Sequence, residues 1–311
     1  MDVEERQGPA LEELRDTVRA EVGKVVIGYE SAVDLLLTAA VAGGHVLLEG
    51  PPGVAKTILA GSMAQVLGVS FKRMQFTPDT MPSHLTGSTV SVMGEPKFVE
   101  GPVFTNLLLA DEINRTPTRA QAALLEAMQE RHITHEGRTH WLPSPFMVIA
   151  TQNPYEHSGV FELPESQLDR FLFKVTLDYL DADDEIRIVR LPHRGLSPDI
   201  LGDVQPLLDV ARLDRVQREM DSTHVPDDTA GFAVRVARAT RTHPDVTLGV
   251  GPRGIIHLVT AAKAAARLAG RSTAEREDVA VMARNVLSHR LILRNGGAPL
   301  AVITDALAAA T

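Results

Sequence analysis

Residues 50–57 read Gly-Pro-Pro-Gly-Val-Ala-Lys-Thr, and this octet restricts the chain more than any other stretch. Val46-Leu47-Leu48 before it is a short apolar run of strand type, and a helical pattern begins at Lys56. A glycine-rich turn between a strand and a helix aims successive backbone N–H groups inward, and the helix N-terminus adds its positive dipole end. Such a turn cradles phosphate. Pro51, Pro52, Gly53, Val54 and Ala55 would wrap the phosphates, with Ile58 behind them in the first helical turn. Lys56 is expected to reach the β- and γ-phosphates of a nucleotide, and the Thr57 hydroxyl to bind Mg²⁺. Alanine stands at position 55, where glycine usually precedes the lysine. Its small Cβ tolerates helical angles, so the helix is expected to begin there.

A second run completes the chemistry. Leu107-Leu108-Leu109-Ala110-Asp111-Glu112 is an apolar strand ending in two acids. Asp111 at its carboxyl end would hold Mg²⁺ through water, and Glu112 would polarise an attacking water. Further on, Phe146–Thr151 leads into Gln152-Asn153-Pro154, which puts a polar amide just past a strand tip.

The first 180 residues alternate strand-type and helix-type runs. The strand candidates are His45–Glu49, Phe71–Phe76, Asn106–Asp111, Phe146–Thr151 and Phe171–Leu177. Each is short, largely apolar and bounded by turn formers, and near-continuous apolar runs suit a parallel sheet covered on both faces. Thr57–Leu67 and Pro117–Glu130 read as helices, the second with Thr116 as N-cap. From about Asp181 helical periodicity takes over, in Asp227–Thr242, Gly254–Ala269, Ala274–Ser288 and Leu300–Ala310. Ser272-Thr273-Ala274-Glu275 has capping-box spacing. Asp181–Glu185 reads as a helix start, and Leu191–Pro206 as a loop. The expected architecture is an α/β P-loop domain over residues 1–180 and a small all-helical lid over 181–311.

The blocks GPPGVAKT (Gly50–Thr57), LLADEINRTPTRAQAALLEAMQE (Leu108–Glu130), IATQNP (Ile149–Pro154), LPESQLDRF (Leu163–Phe171) and GPRG (Gly251–Gly254) resemble the MoxR family of AAA+ ATPases. The resemblance covers nearly the whole chain. It implies that Asn153 is sensor 1 and that Arg170 is an arginine finger reaching a neighbouring subunit's ATP. It also implies that Arg253 is sensor 2 in the lid, and that Val26-Ile27-Gly28 lies against adenine. Tyr29 follows that glycine where the family usually has glutamine. Residues 77–104, with alternating Thr89–Val92 and Lys97–Val99 around Met93-Gly94, resemble the hairpin insertion of this AAA+ branch. Ile133–His140 suggests a second hairpin, and both would face the pore of a ring. Arg115 fits a subunit interface or a local salt bridge equally well.

Composition narrows the partners. The net charge of -9 gives no basic face to displace counterions, and 4% aromatic residues leave few stacking platforms, so nucleic acid is not the expected partner. There is no cysteine, which removes thiolate metal sites and thiol nucleophiles. His132, His135 and His140 match no standard zinc spacing. The acidic start Met1–Glu5 is not a signal peptide, and no run approaches the roughly 20 apolar residues of a bilayer span. A soluble, cytoplasmic protein without membrane insertion is expected. The family resemblance implies ATP with Mg²⁺, self-association into a hexameric ring, chaperone-like action, and partners with von Willebrand factor A domains. Two other readings remain open at this point. One is a nucleotide-gated scaffold with little turnover; the other is a magnesium-chelatase-like or nucleic-acid-associated motor.

Overall fold

The apolar runs read as strands pair side by side, and what connects them covers both faces. The computed structural model describes residues 10–155, 159–191, 198–294 and 296–311. In chain order, α1 (Leu11–Val22) and α2 (Glu30–Val41) precede β1 (Val46–Glu49), α3 (Lys56–Leu67) and β2 (Phe71–Gln75). A short α4 (Pro82–Thr86) and the hairpin β3 (Gly87–Val92) with β4 (Glu95–Glu100) lead to β5 (Leu107–Asp111) and α5 (Thr118–Glu130). A second hairpin, β6 (His132–His135) with β7 (Arg138–Trp141), precedes β8 (Met147–Gln152), α6 (Glu165–Leu168) and β9 (Phe173–Thr176). The remainder comprises α7 (Ala182–Arg190), α8 (Val210–Asp221), α9 (Asp227–Thr242), β10 (Val246–Leu248), α10 (Pro252–Leu268), α11 (Arg276–Leu287), β11 (Ile292–Leu293) and α12 (Pro299–Ala310).

Five strands form one parallel sheet in the order β2-β5-β8-β1-β9. Side chains alternate across a strand, and in β1, β5 and β8 both sets are buried. Val46, Leu48, Leu107, Leu109, Ile149 and Phe173 enter one core layer with α1, α2 and α3. Leu47, Leu108, Ala110, Val148 and Ala150 enter the other, against Leu124, Leu125 and Met128 of α5. Glu49, at the tip of β1, bonds residues of both neighbouring strands. Its Oε1 accepts from Gln152 Nε2 at 2.6 Å, and its Oε2 pairs with Lys174 at 2.7 Å. Gly50 follows at the rim, where a Cβ would lie 2.3 Å from the Leu177 carbonyl oxygen.

The second part is helical, with one short addition, the antiparallel pair β10–β11. Its α10 packs on α1 and α2, and one continuous apolar cluster runs from Leu14 to Ala310. The lid is thus seated on the N-terminal helices as well as joined through α7. Asp181 caps α7, its carboxylate accepting from the Asp184 N–H at 2.9 Å. Two expected caps move. Pro117, with ψ 150°, is the N-cap of α5, while Thr116 is extended and fully buried. The capping box of α11 is Glu275 with Asp278, three residues later than expected. Residues 272–274 are taken up by a bridge to His224, whose N–H donates to Ser272 O and whose carbonyl accepts from the Ala274 N–H. The stretch Met1–Glu5 and residues 192–197 of the expected loop lie outside the described residues. Among the described residues, no helix is long and apolar enough to cross a membrane.

Candidate active site

Parallel strands bring their carboxyl ends to one edge, where open α/β sheets bind ligands. There the turn after β1, the two acids at the end of β5 and the end of β8 with Asn153 line one cleft of about 830 Å³. Pro52, Gly53, Val54, Ala55, Lys56, Thr57 and Ile58 form one wall; Asp111, Glu112 and Asn153 face them. Val26 and Ile27 close an apolar end together with Tyr179, Leu180, Ile188 and Val189, a suitable seat for a base. Gly28 and Pro51 do not line this cleft, and Gly28 instead faces a separate pocket beside β9. Tyr29 donates its hydroxyl proton to the Asp178 carbonyl at 2.9 Å, so it braces the wall.

The backbone turns sharply at two functional positions. Ala55 has φ 57° and ψ 20°, left-handed rather than helical, so α3 begins one residue later, at Lys56. This corrects the expectation of helical angles at Ala55. Glu112 is also left-handed, with φ 58°. Strain of this kind collects at functional sites.

Lys56 Nζ donates to the carbonyls of Gly50 at 2.6 Å and Pro51 at 3.0 Å. Burial draws its pKa below the ordinary value, opposed by the charges of Asp111, Glu112 and Glu49. An ammonium group partly stripped of water is ready for a stronger anionic partner. Thr57 Oγ1 lies 3.4 Å from Asp111 Oδ2, so a hydroxyl and a carboxylate converge. Hard oxygen donors of this kind suit Mg²⁺. Asn153 Oδ1 accepts from the Tyr155 N–H at 3.1 Å, which fixes the orientation of its amide. Arg115 pairs with Glu112 at 3.1 Å, the local salt bridge of the two readings considered for it.

Two residues of the site were missed in the sequence. Thr151 Oγ1 donates to Asp111 Oδ1 at 2.6 Å and accepts from the Glu112 N–H at 2.9 Å, orienting both acids. Arg73 of β2 donates to Asp111 Oδ2 from Nε at 3.0 Å and from Nη2 at 2.7 Å. Arg73 shares a strand face with Gln75, which pairs in register with Asp111, and that register brings the guanidinium to the carboxylate.

Arg170 and Arg253 lie elsewhere. They share a second pocket of about 270 Å³ with Gly43, His45, Arg131 and His257. Gly43, Gly44 and His45 precede β1 and Leu172 precedes β9, so this pocket is at the amino edge of the sheet. A four-residue strand, about 13 Å long, separates that edge from the phosphate loop. Arg253, expected as sensor 2, therefore lies away from the phosphate loop of its own chain. Arg131 is engaged by the carbonyls of Gly43 and Phe146. Arg170 Nε is buried without a hydrogen-bond partner.

The comparisons with known proteins agree with this geometry. Residues 45–173 match the family described as "ATPase family associated with various cellular activities (AAA)", and residues 238–306 match an AAA lid domain. The Mycobacterium tuberculosis protein Chaperone MoxR1 is 40% identical over 284 residues, covering 88% of this chain and 74% of that protein. The chain belongs to the MoxR family of AAA+ ATPases. Protein MoxR of Paracoccus denitrificans is 32% identical over 299 residues, covering 88% of this MoxR-family chain and 87% of its relative. A crystal structure of a Cytophaga hutchinsonii protein superposes with a TM-score of 0.88 at 35% identity, covering 96% of this chain and 94% of that one. Within the MoxR fold, the cleft brings together Lys56, Thr57, Asp111, Glu112 and Asn153, and the second pocket brings together Arg170 and Arg253.

Proposed function

We propose that this MoxR-family protein hydrolyses ATP at sites shared between neighbouring copies in a closed hexameric ring. Turnover would remodel or activate partner proteins, those with von Willebrand factor A domains among them. The observation that supports the shared site is the separation of Arg170 and Arg253 from the phosphate loop of their own chain. A head-to-tail arrangement puts the arginine edge of one copy against the cleft of the next. On this reading Glu112 takes the proton of the attacking water, Lys56 holds the β- and γ-phosphates, and Asn153 orients the water. Thr57 and Asp111 would hold Mg²⁺, which neutralises charge developing on the phosphates. Arg170, helped by Arg253, stabilises the charge on the transferred phosphoryl group from across the interface. The chaperone relative in the family supports action on proteins.

Two measurements test this. Glu112→Gln should bind ATP normally and turn it over about 10²–10⁴-fold more slowly. Wild-type turnover in that variant removes Glu112 from the mechanism. Arg170→Ala should lose about 10³-fold or more in rate. Mixed with Lys56→Ala, whose arginine edge is intact, it should regain activity; a mixture as inactive as its components refutes the shared site.

A further inference from the structure

Arg290 is 2% exposed at its side chain, yet it belongs to neither pocket. It ends the short turn after α11 and reaches from the lid into the segment that carries Arg170. Nε donates to Asp169 Oδ1 at 2.8 Å. Nη2 donates to the carbonyls of Asp169 at 3.0 Å and Phe171 at 2.6 Å. Nη1 reaches the Leu172 carbonyl at 3.4 Å and that of Val286 in its own helix. Nη2 also meets His257 Nδ1. Burial, together with the charges of Arg290 and Arg253, lowers the His257 pKa to about 3, so that ring is a neutral acceptor. Residues on both sides of Arg170 are thus pinned by one buried guanidinium.

The same group bears on Arg253. Asp169 offers its other oxygen, Oδ2, to Arg253 Nη1 at 3.8 Å, so one carboxylate serves the buried arginine and the exposed one. Beside Arg253, Gly254 lies against the stem of Arg290. A Cβ there would come within 2.9 Å of Arg290 Cδ and 2.6 Å of Val250 Cγ1. The glycine lets the first turn of α10 close over that stem.

We propose that Arg290 is a positioning residue for both arginines of the second pocket, holding Arg170 through the backbone of 169–172 and Arg253 through Asp169. A displacement of the turn that carries Arg290 then moves the arginines offered to a neighbouring copy. This rests on the shared-site reading above. A bare structural staple would give a general loss of stability. A positioning residue gives a defect confined to the arginine edge, with the variant's own cleft intact.

The test is complementation. Arg290→Met should bind ATP within about 2-fold of wild type and hydrolyse it about 10²-fold more slowly, the scale of a misplaced catalytic group. Mixed in equal amounts with Lys56→Ala, it should recover about a quarter of the wild-type rate, since half the clefts and half the arginine edges are competent and pair at random. Wild-type turnover by Arg290→Met alone overturns the proposal. So does a folded, ATP-binding Arg290→Met that Lys56→Ala does not rescue while it does rescue Arg170→Ala. If Arg170→Ala is not rescued either, the shared-site reading fails and this one with it. Should Arg290→Met not fold, Arg290→Lys carries the same test, because it keeps a buried stem and charge and loses the fork that spans 169–172. Failure of Lys56→Ala to rescue a slow, folded Arg290→Lys, or wild-type turnover by that variant, is equally decisive against the proposal.

Discussion

Ala55 carries a side chain in a conformation that L-residues adopt at a cost of about 1–2 kcal/mol. Glycine loses more chain entropy on folding, about 0.5–1 kcal/mol, which offsets part of that. Ala55→Gly should therefore raise the unfolding free energy by about 0.5–1 kcal/mol, read from denaturant melts; a lower midpoint would show that the turn is not strained. The residues that were legible, Lys56, Thr57, Asp111 and Glu112, share a property: their chemistry requires them to be neighbours in the chain. Arg73 and Thr151 act on Asp111 across the sheet, through the register of β2 with β5 and of β5 with β8. No local pattern announces a contact of that kind. Arg253 was read as a phosphate-facing cation, but the edge of the sheet at which it lies is set by how α10 packs on α1 and α2, which no local pattern gives.

At the scale of elements, the two hairpins are legible because each carries alternation around a turn that needs positive φ. Met93 and Gly94 have φ 52° and 88°, and Glu136 and Gly137 have 48° and 75°, the signature of tight hairpin turns. Their meeting was not legible. Phe98 of β4 lies against His135 of β6 and His140 of β7, with ring centroids 5.0 and 4.2 Å apart, and Thr89 Oγ1 bonds His135 Nε2 at 2.9 Å. An isolated two-stranded hairpin is marginal in water, so the pair should be stable only together. Phe98→Ala should accelerate amide exchange in both hairpins and leave the lid helices unchanged. Unaltered exchange in β6 and β7 would mean that they stand independently. Helix ends were the least legible, for the reason seen at α11: the residues that would cap it are already committed to a bridge with His224.

For the molecule as a whole, two of the described histidines are buried, a third, His257, is half-buried, and all three are held neutral. His45 accepts the Val148 N–H at Nδ1, 2.9 Å away, and its Nε2 faces the Met128 carbonyl at 3.2 Å, so it joins the sheet to α5. Burial lowers its pKa well below the ordinary value, aided by Arg131, and lowers that of His289 likewise, aided by Arg290. His257 is the third, at about 3. Unfolded, each would take up a proton near pH 6.5. Below that pH the unfolded chain binds more protons than the folded one, so stability falls as pH falls. Each histidine adds a slope of about 1.4 kcal/mol per pH unit. The melting temperature should drop steeply between pH 6.5 and 5 and be nearly flat from 7 to 8. A flat profile down to pH 5 would show that these rings are not neutral in the fold.

The placement of the phosphate cleft at one edge of the sheet and the two arginines at the other has a consequence for how such a protein behaves in bulk. On the shared-site reading, a solitary copy is inert however much ATP surrounds it. An open string of copies always wastes one cleft at one end and one pair of arginines at the other. Specific activity would then climb with protein concentration and fall away on dilution, so the enzyme reports its own abundance before it reports its fuel.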